Sequence, residues 1–165
     1  MAITANGLIA RENGETDFVS ENEWKHFSSR AKKIGNLVIG KKTFEIMQKG
    51  KDFERLDVKT VCVVSARQAG KQGKKFCFAQ SPKQALQILR QRGFKTAFIG
   101  GGGTLNASFL EQGLVDELFL DVEPVALGSG VPLFFGKTFE QKMELVKSKQ
   151  ISKNEIQLHY RILKK

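Results

Sequence analysis

The chain is poor in the residues that build metal sites and cross-links. Its 165 residues include two cysteines, Cys62 and Cys77, and two histidines, His26 and His159. Both cysteines sit in apolar stretches, VCVV and FCFA. They read as buried free thiols of a reducing cytoplasm, not as a disulfide framework. Without a His/Cys cluster, no metal site is expected. No apolar run approaches the roughly 20 residues of a membrane span. The stretch MAITANGLIA lacks the basic and long apolar regions of a secretory signal. A cytoplasmic protein with no membrane partner is therefore expected. Acidic residues are also short, 17 against 27 Lys and Arg, which leaves a net charge of +10. Such a balance attracts anions, whether nucleic acid or a phosphorylated ligand. The basic residues are spread along the chain, with no compact block interleaved with aromatics. A solvated basic surface or a phosphate-bearing small molecule fits this better than nucleic acid. A non-catalytic nucleic-acid-binding domain is the non-enzyme alternative.

What is present is an alternating pattern of a single domain large enough to bury a core. MAITA reads as a short strand, residues 6 to 19 as a long loop, and Ser20 to Lys33 as a helix. Trp24, Phe27, Ala31 and Ile34 form the apolar stripe of that helix. NLVIG, TVCVVS and KKFCFA read as strands, with the helix KKTFEIMQK between the first two. Ser81 caps a helix with Pro82 at its first position. TAFIG is a strand and LNASFLEQG a helix ended by Gly113. VDELFLDVEPVAL is a long strand, and the tail from residue 139 is a hairpin turning around Ser152 to Asn154. Strand and helix alternation predicts a three-layer α/β fold. Its central sheet is mostly parallel, with helices on both faces and an antiparallel hairpin at one edge.

Ligands of such sheets sit outside the carboxyl ends of the strands. Three junctions there carry anion-binding groups. FIGGGGTLNASFL has four consecutive glycines, Gly100 to Gly103, between strand and helix. Glycines let a pyrophosphate approach the unpaired N–H groups of a helix start. VIGKKTFE puts Gly40, Lys41, Lys42 and Thr43 at a second strand–helix junction. VVSARQ puts Ser65 and Arg67 at a third strand end. A dinucleotide with an additional ribose phosphate would use all three.

Taken in order, ANGLIA, VIGKKTFE, VVS, FIGGGGTLNASFL and LDVEPVALGSGVPLF resemble the dihydrofolate reductase superfamily, which includes the riboflavin-pathway pyrimidine reductase domain. The resemblance covers nearly the whole chain. It implies NADPH-dependent hydride transfer to a C=N bond of a pterin or pyrimidine. It places Gly40, Lys41, Lys42 and Thr43 on the cofactor phosphates, and Ser65 and Arg67 near the 2′-phosphate and adenine. Gly101, Gly102, Gly103 and Thr104 would cradle the pyrophosphate, and Ala5 and Ile9 would approach the nicotinamide.

The stretch FVSENEWKHF decides between substrates. Phe18, Glu23 and Phe27 resemble the aromatic–acid–phenylalanine spacing with which dihydrofolate reductases hold a pterin, and the resemblance implies that Asn6, in the first turn, also contacts the substrate. Glu23 and Phe27 are four residues apart, on one flank of the helix. A carboxyl group in that partly dry position should have a raised pKa, suited to proton delivery. The competing reading is a capping box, in which Glu23 reaches back to the Ser20 N–H; Glu21 is a third candidate. On this basis dihydrofolate is the expected substrate. The pyrimidine reductases resembled by Glu15–Ser20 are the alternative, although Thr4-Ala5-Asn6-Gly7 replaces their Ser-Leu-Asp-Gly. Relative to the family, the first strand is short. The pocket is then either minimal or completed by a second subunit, as in a homodimer.

Overall fold

A computed structural model of the chain describes residues 1–67 and 73–164. In chain order the elements are β1 (Ala2–Thr4), β2 (Leu8–Ala10), α1 (Glu21–Ile34), β3 (Asn36–Gly40), α2 (Lys41–Lys49) and α3 (Asp52–Arg55). Then come β4 (Thr60–Val64), β5 (Phe76–Ala79), α4 (Pro82–Gln91), β6 (Ile99–Gly101) and α5 (Gly103–Glu111). The last strands are β7 (Glu117–Glu123), β8 (Val131–Pro132), β9 (Met143–Gln150) and β10 (Ile156–Ile162).

The runs NLVIG and TVCVV are apolar at every position because their strands are buried on both faces. On one face Leu37, Ile39, Val61 and Val63 pack against Ala31, Met47 and Phe53 of α1 to α3. On the other, Val38, Cys62 and Cys77 pack against Ala85 and Leu89 of α4 and Phe109 of α5. Both cysteines are free and fully buried, as their context implies. These strands form a parallel sheet in the order β5-β4-β3-β6. A second sheet has the order β1-β7-β10-β9, with β1 parallel to β7 and the hairpin antiparallel. The edges of the two sheets face each other: a Cβ added to Gly101 would lie 3.1 Å from Met1 Cε.

The elements depart from the sequence reading where pairing is remote. Residues 6 to 19 are not all loop, because Leu8–Ala10 pairs antiparallel with Val131–Pro132. Nothing local signals a partner so far along the chain. TAFIG shortens to a strand that begins at Ile99 and runs through Gly101. Ahead of it the Asn36 side chain replaces a strand partner, donating to Thr96 O at 2.7 Å and accepting from Phe98 N at 3.1 Å. VDELFLDVEPVAL ends as a strand at Glu123. Pro124 has no N–H to continue the ladder, and Val125 N turns back to Glu123 O at 2.8 Å.

Asn36 is fully buried, and losing its amide would remove the partner of two part-buried backbone groups, Thr96 O and Phe98 N. Asn36→Ala is expected to destabilise the protein by about 2–4 kcal/mol, measured by urea denaturation.

Candidate active site

The parallel strands bring two helix starts together. Gly40 is the N-cap of α2 and Gly102 the N-cap of α5. A Cβ on Gly40 would lie 3.9 Å from both Gly101 O and Gly102 N, and one on Gly102 would lie 3.3 Å from Thr43 Oγ1. Neither helix has a side-chain cap or an acidic residue in its first turn. The contrast with α1 and α4 is direct, because Ser20 and Ser81 cap those two by accepting from Glu23 N and Gln84 N. Two neighbouring helix starts thus keep free N–H groups and partial positive charge, which favours an anion. Lys41 and Lys42 add charge there; Lys41 also reaches Glu45 at 3.4 Å.

The glycine run has reasons beyond ligand access. A Cβ on Gly100 would meet Leu37 Cδ1 at 2.6 Å, and one on Gly103 would meet Pro132 O at 2.3 Å. Gly101 holds φ at +97°, a conformation side chains disfavour. Gly102 alone is governed by the space between the two junctions. Thr104 is exposed at the head of α5.

The end of β4 lies along the same edge. Val64 pairs with both Gly40 and Ala79, and the next residue, Ser65, is buried with its N–H on Ala79 O at 2.8 Å. Arg67 is exposed. Ala5 follows β1, its N–H bonded to Val125 O at 2.7 Å, and Ile9 is buried in β2. The Asn6 side chain ties the turn down. It accepts from Thr4 Oγ1 at 2.8 Å and donates to Leu127 O at 2.7 Å. Phe18 is half-buried in the loop before α1. Phe27 sits between Trp24 and Phe98, with ring centroids 5.8 and 5.2 Å away.

Glu23 is only 3% exposed. The sequence pattern Ser-x-x-Glu is present, but the reciprocal capping box is not. Ser20 Oγ accepts from Glu23 N at 3.0 Å, while the Ser20 N–H donates to Glu123 Oε1, also at 3.0 Å. Glu123 arrives from β7 and takes the capping duty, leaving the Glu23 carboxyl free. Among the described residues none donates a hydrogen bond to it. Burial pushes its pKa up to about 7; the Met1 ammonium opposes this, and Asp121, Glu123 and Glu155 reinforce it. Asp121 is held by Gln157 Nε2 at 2.6 Å and lies 3.7 Å from the Met1 ammonium. Glu21, the third candidate, is exposed and faces Arg55 at 3.4 Å. Sequence reasoning did not anticipate Glu123, Asp121 or Glu155, since each comes from strands or turns about 100 residues or more after α1.

Fold and site define a mostly parallel α/β domain with a buried carboxyl group and paired helix starts at the strand ends. The family model described as "RibD C-terminal domain" matches residues 1–157. The chain belongs to that family, within the dihydrofolate reductase-like superfamily. It is 29% identical over 164 residues to the uncharacterized protein YwjB of Bacillus subtilis (strain 168), covering 97% of this chain and 94% of that one. A Shewanella sp. PV-4 structure provisionally named a riboflavin biosynthesis protein superposes with a TM-score of 0.81 at 23% identity, covering 99% and 97% of the two chains. The Thermotoga maritima diaminohydroxyphosphoribosylaminopyrimidine deaminase/5-amino-6-(5-phosphoribosylamino)uracil reductase superposes with a TM-score of 0.75 at 14% identity. That match covers 98% of this chain and 55% of the larger protein. Family membership supports a reductase of the riboflavin-pathway type and gives no support to dihydrofolate as the substrate.

A carboxyl group with a raised folded-state pKa binds its proton more tightly than the unfolded chain does. Its contribution to stability is complete below the unfolded value of 4.5 and is lost as pH rises through about 7. Glu23→Gln, which cannot ionise, should remove that loss. The variant is expected to gain on the order of 3 kcal/mol relative to wild type between pH 5 and pH 8, read from denaturation midpoints at the two pH values.

Proposed function

We propose that this protein is an NADPH-dependent reductase of the riboflavin-pathway type, delivering hydride to a C=N bond of an aminopyrimidine substrate. The observation that carries the reading is the pair of uncapped helix starts at Gly40 and Gly102, side by side at the carboxyl edge of the sheet. Free N–H groups there suit a pyrophosphate, and the lysines of α2 add charge for it. Ser65 and Arg67, one strand further along, suit the extra ribose phosphate that separates NADPH from NADH. Bound NADPH would supply the hydride. Glu23 would hold a proton in a dry position near neutral pH and pass it to the nitrogen of the C=N bond as hydride reaches the carbon. The product is then a CH–NH group, with charge and protons balanced. Phe27 would offer an apolar wall beside that carboxyl.

This reading reverses the order of substrates set by the spacing of Phe18, Glu23 and Phe27. Family membership favours the ribosylaminouracil phosphate over dihydrofolate. The buried, uncapped Glu23 serves either ring, because both offer a nitrogen to protonate.

NADPH oxidation, followed by absorbance with each substrate in turn, tests the proposal. Oxidation dependent on the aminouracil is expected; oxidation with dihydrofolate alone would return the pterin reading, and absence of NADPH binding would end both. Glu23→Gln should lower turnover at least tenfold, about 1.4 kcal/mol of barrier, with NADPH affinity unchanged. Gly102→Val should weaken NADPH binding by roughly a hundredfold or more, about 2.7 kcal/mol, in a protein that still folds.

A further inference from the structure

Besides Glu23, three carboxyl groups are buried beside the start of α1: Asp121, Glu123 and Glu155. Two of them have partners. Gln157 donates to Asp121 at 2.6 Å, and the Ser20 N–H donates to one oxygen of Glu123 at 3.0 Å. Glu155 is 7% exposed, and its enclosed Oε2 has no hydrogen-bond partner. An acceptor buried without a donor is destabilising, so this one calls for a physical account.

The second sheet brings these groups together. β10 runs antiparallel to β7, with Gln157 opposite Asp121 and Ile156 opposite Val122. One step beyond that last pair, Glu155 falls opposite Glu123. Side chains alternate along a strand, so Asp121, Glu123, Glu155 and Gln157 share one face. The start of α1 lies over that face, tied to it through Ser20. On the far side of Glu123, its parallel partner Thr4 offers no donor, because the Thr4 hydroxyl is committed to Asn6 Oδ1. The other charged groups facing the two glutamates are Glu23 and His26 of α1, Asp121 of β7 and the Met1 ammonium.

Burial raises the pKa of Glu123, and Glu155 adds to the rise by its charge and by a hydrogen bond between the two carboxyls, against the Ser20 contacts. Glu155 is held below the ordinary carboxylate range, by the Ser20 hydroxyl first and then by Ser152, Glu123 and His26, against its burial. An acid beside a carboxylate is how two close carboxyl groups relieve their repulsion. A metal ion is the other way to relieve it, but among the described residues no three ligands converge to hold one.

We propose that Glu123 and Glu155 share one proton and form the store from which Glu23 is recharged after each turnover. This inference rests on the reading of Glu23 as the proton donor of the reductase. The shared proton is the donor that Glu155 otherwise lacks. When Glu23 protonates the substrate nitrogen it is left as a carboxylate, sealed from solvent at 3% exposure. The Glu123 proton then moves to Glu23. The pair regains a proton from water at the Glu155 end, in the turn between β9 and β10, where the exposed His26 stands. One proton enters for each hydride delivered, and the three carboxyl groups return to their starting state.

The test uses Glu155→Gln, with Glu123→Gln as the second variant. Each amide keeps the size and hydrogen bonding of the site but cannot pass the proton on. Carbon-13 NMR of the glutamate carboxyls, titrated with pH, reads the pair without any activity. In the wild type Glu123 and Glu155 are expected to titrate in two well-separated, mutually dependent steps, and the carboxyl remaining in either variant in one. Wild-type carboxyls that titrate independently overturn the proposal. Steady-state kinetics with NADPH and the aminouracil reads the recharging. At pH 8 the kcat of Glu155→Gln is expected to fall at least about tenfold, with both KM values unchanged, and imidazole buffer should restore it by bringing protons from solution. An unchanged kcat in both variants overturns the proposal, as does a loss that imidazole leaves in place, which would mark a structural role. A two-step titration in a wild-type protein that does not oxidise NADPH would overturn the reductase reading and the recharging with it, and would leave the shared proton established.

Discussion

Burial of β3 on both faces is the constraint on which the rest of this structure depends. Leu37 and Ile39 anchor α1 to α3 on one side, and Val38 anchors α4 and α5 on the other. The strand also ends at Gly40, where α2 begins. Because β3 is central to its sheet, its register sets the heights of its neighbours: Gly40 is level with Val64, and Ile39 with Gly101. The alignment of the helix starts follows from that ladder. Asn36 completes it by holding the approach to β6 where no strand does.

The second determinant is an exchange of roles at the start of α1. A helix that opens Ser-x-x-Glu ordinarily uses both side chains on its own N-terminus. Here Glu123, delivered by β7, takes the Ser20 N–H. The Glu23 carboxyl is left inside the protein among Asp121, Glu123 and Glu155, with burial as the main reason it holds its proton near neutrality. A structural pattern thereby frees a group with the properties of a proton donor.

The glycine run shows how structural and functional demands overlap in one motif. Leu37 excludes a side chain at Gly100 and the Pro132 carbonyl excludes one at Gly103. Those two glycines are required by packing whatever binds nearby. Gly102, between Thr43 and the open helix start, is the one whose bareness the proposed ligand would use.

Much of the architecture was legible in the chain itself. Unbroken apolar runs in NLVIG and TVCVV announced strands buried on both faces. Ser81-Pro82 marked the start of α4, and the tail alternated as a hairpin does. These signals are local, since they depend on a residue's own burial and its neighbours' propensities. The glycines, lysines and Ser65 at strand ends were legible as an edge for the same reason. The pairing of Leu8–Ala10 with Val131–Pro132 was not legible, nor was the Asn36 clasp on Thr96 and Phe98. The arrival of Glu123 at Ser20 was hidden too. Each joins residues about 60 or more positions apart, and such contacts leave no mark in a local pattern. By itself the sequence determined the layers, the edge and the candidate acid. Only the tertiary structure decided that Glu23 is free rather than capping, because that depends on which carboxylate first reaches the Ser20 N–H in three dimensions.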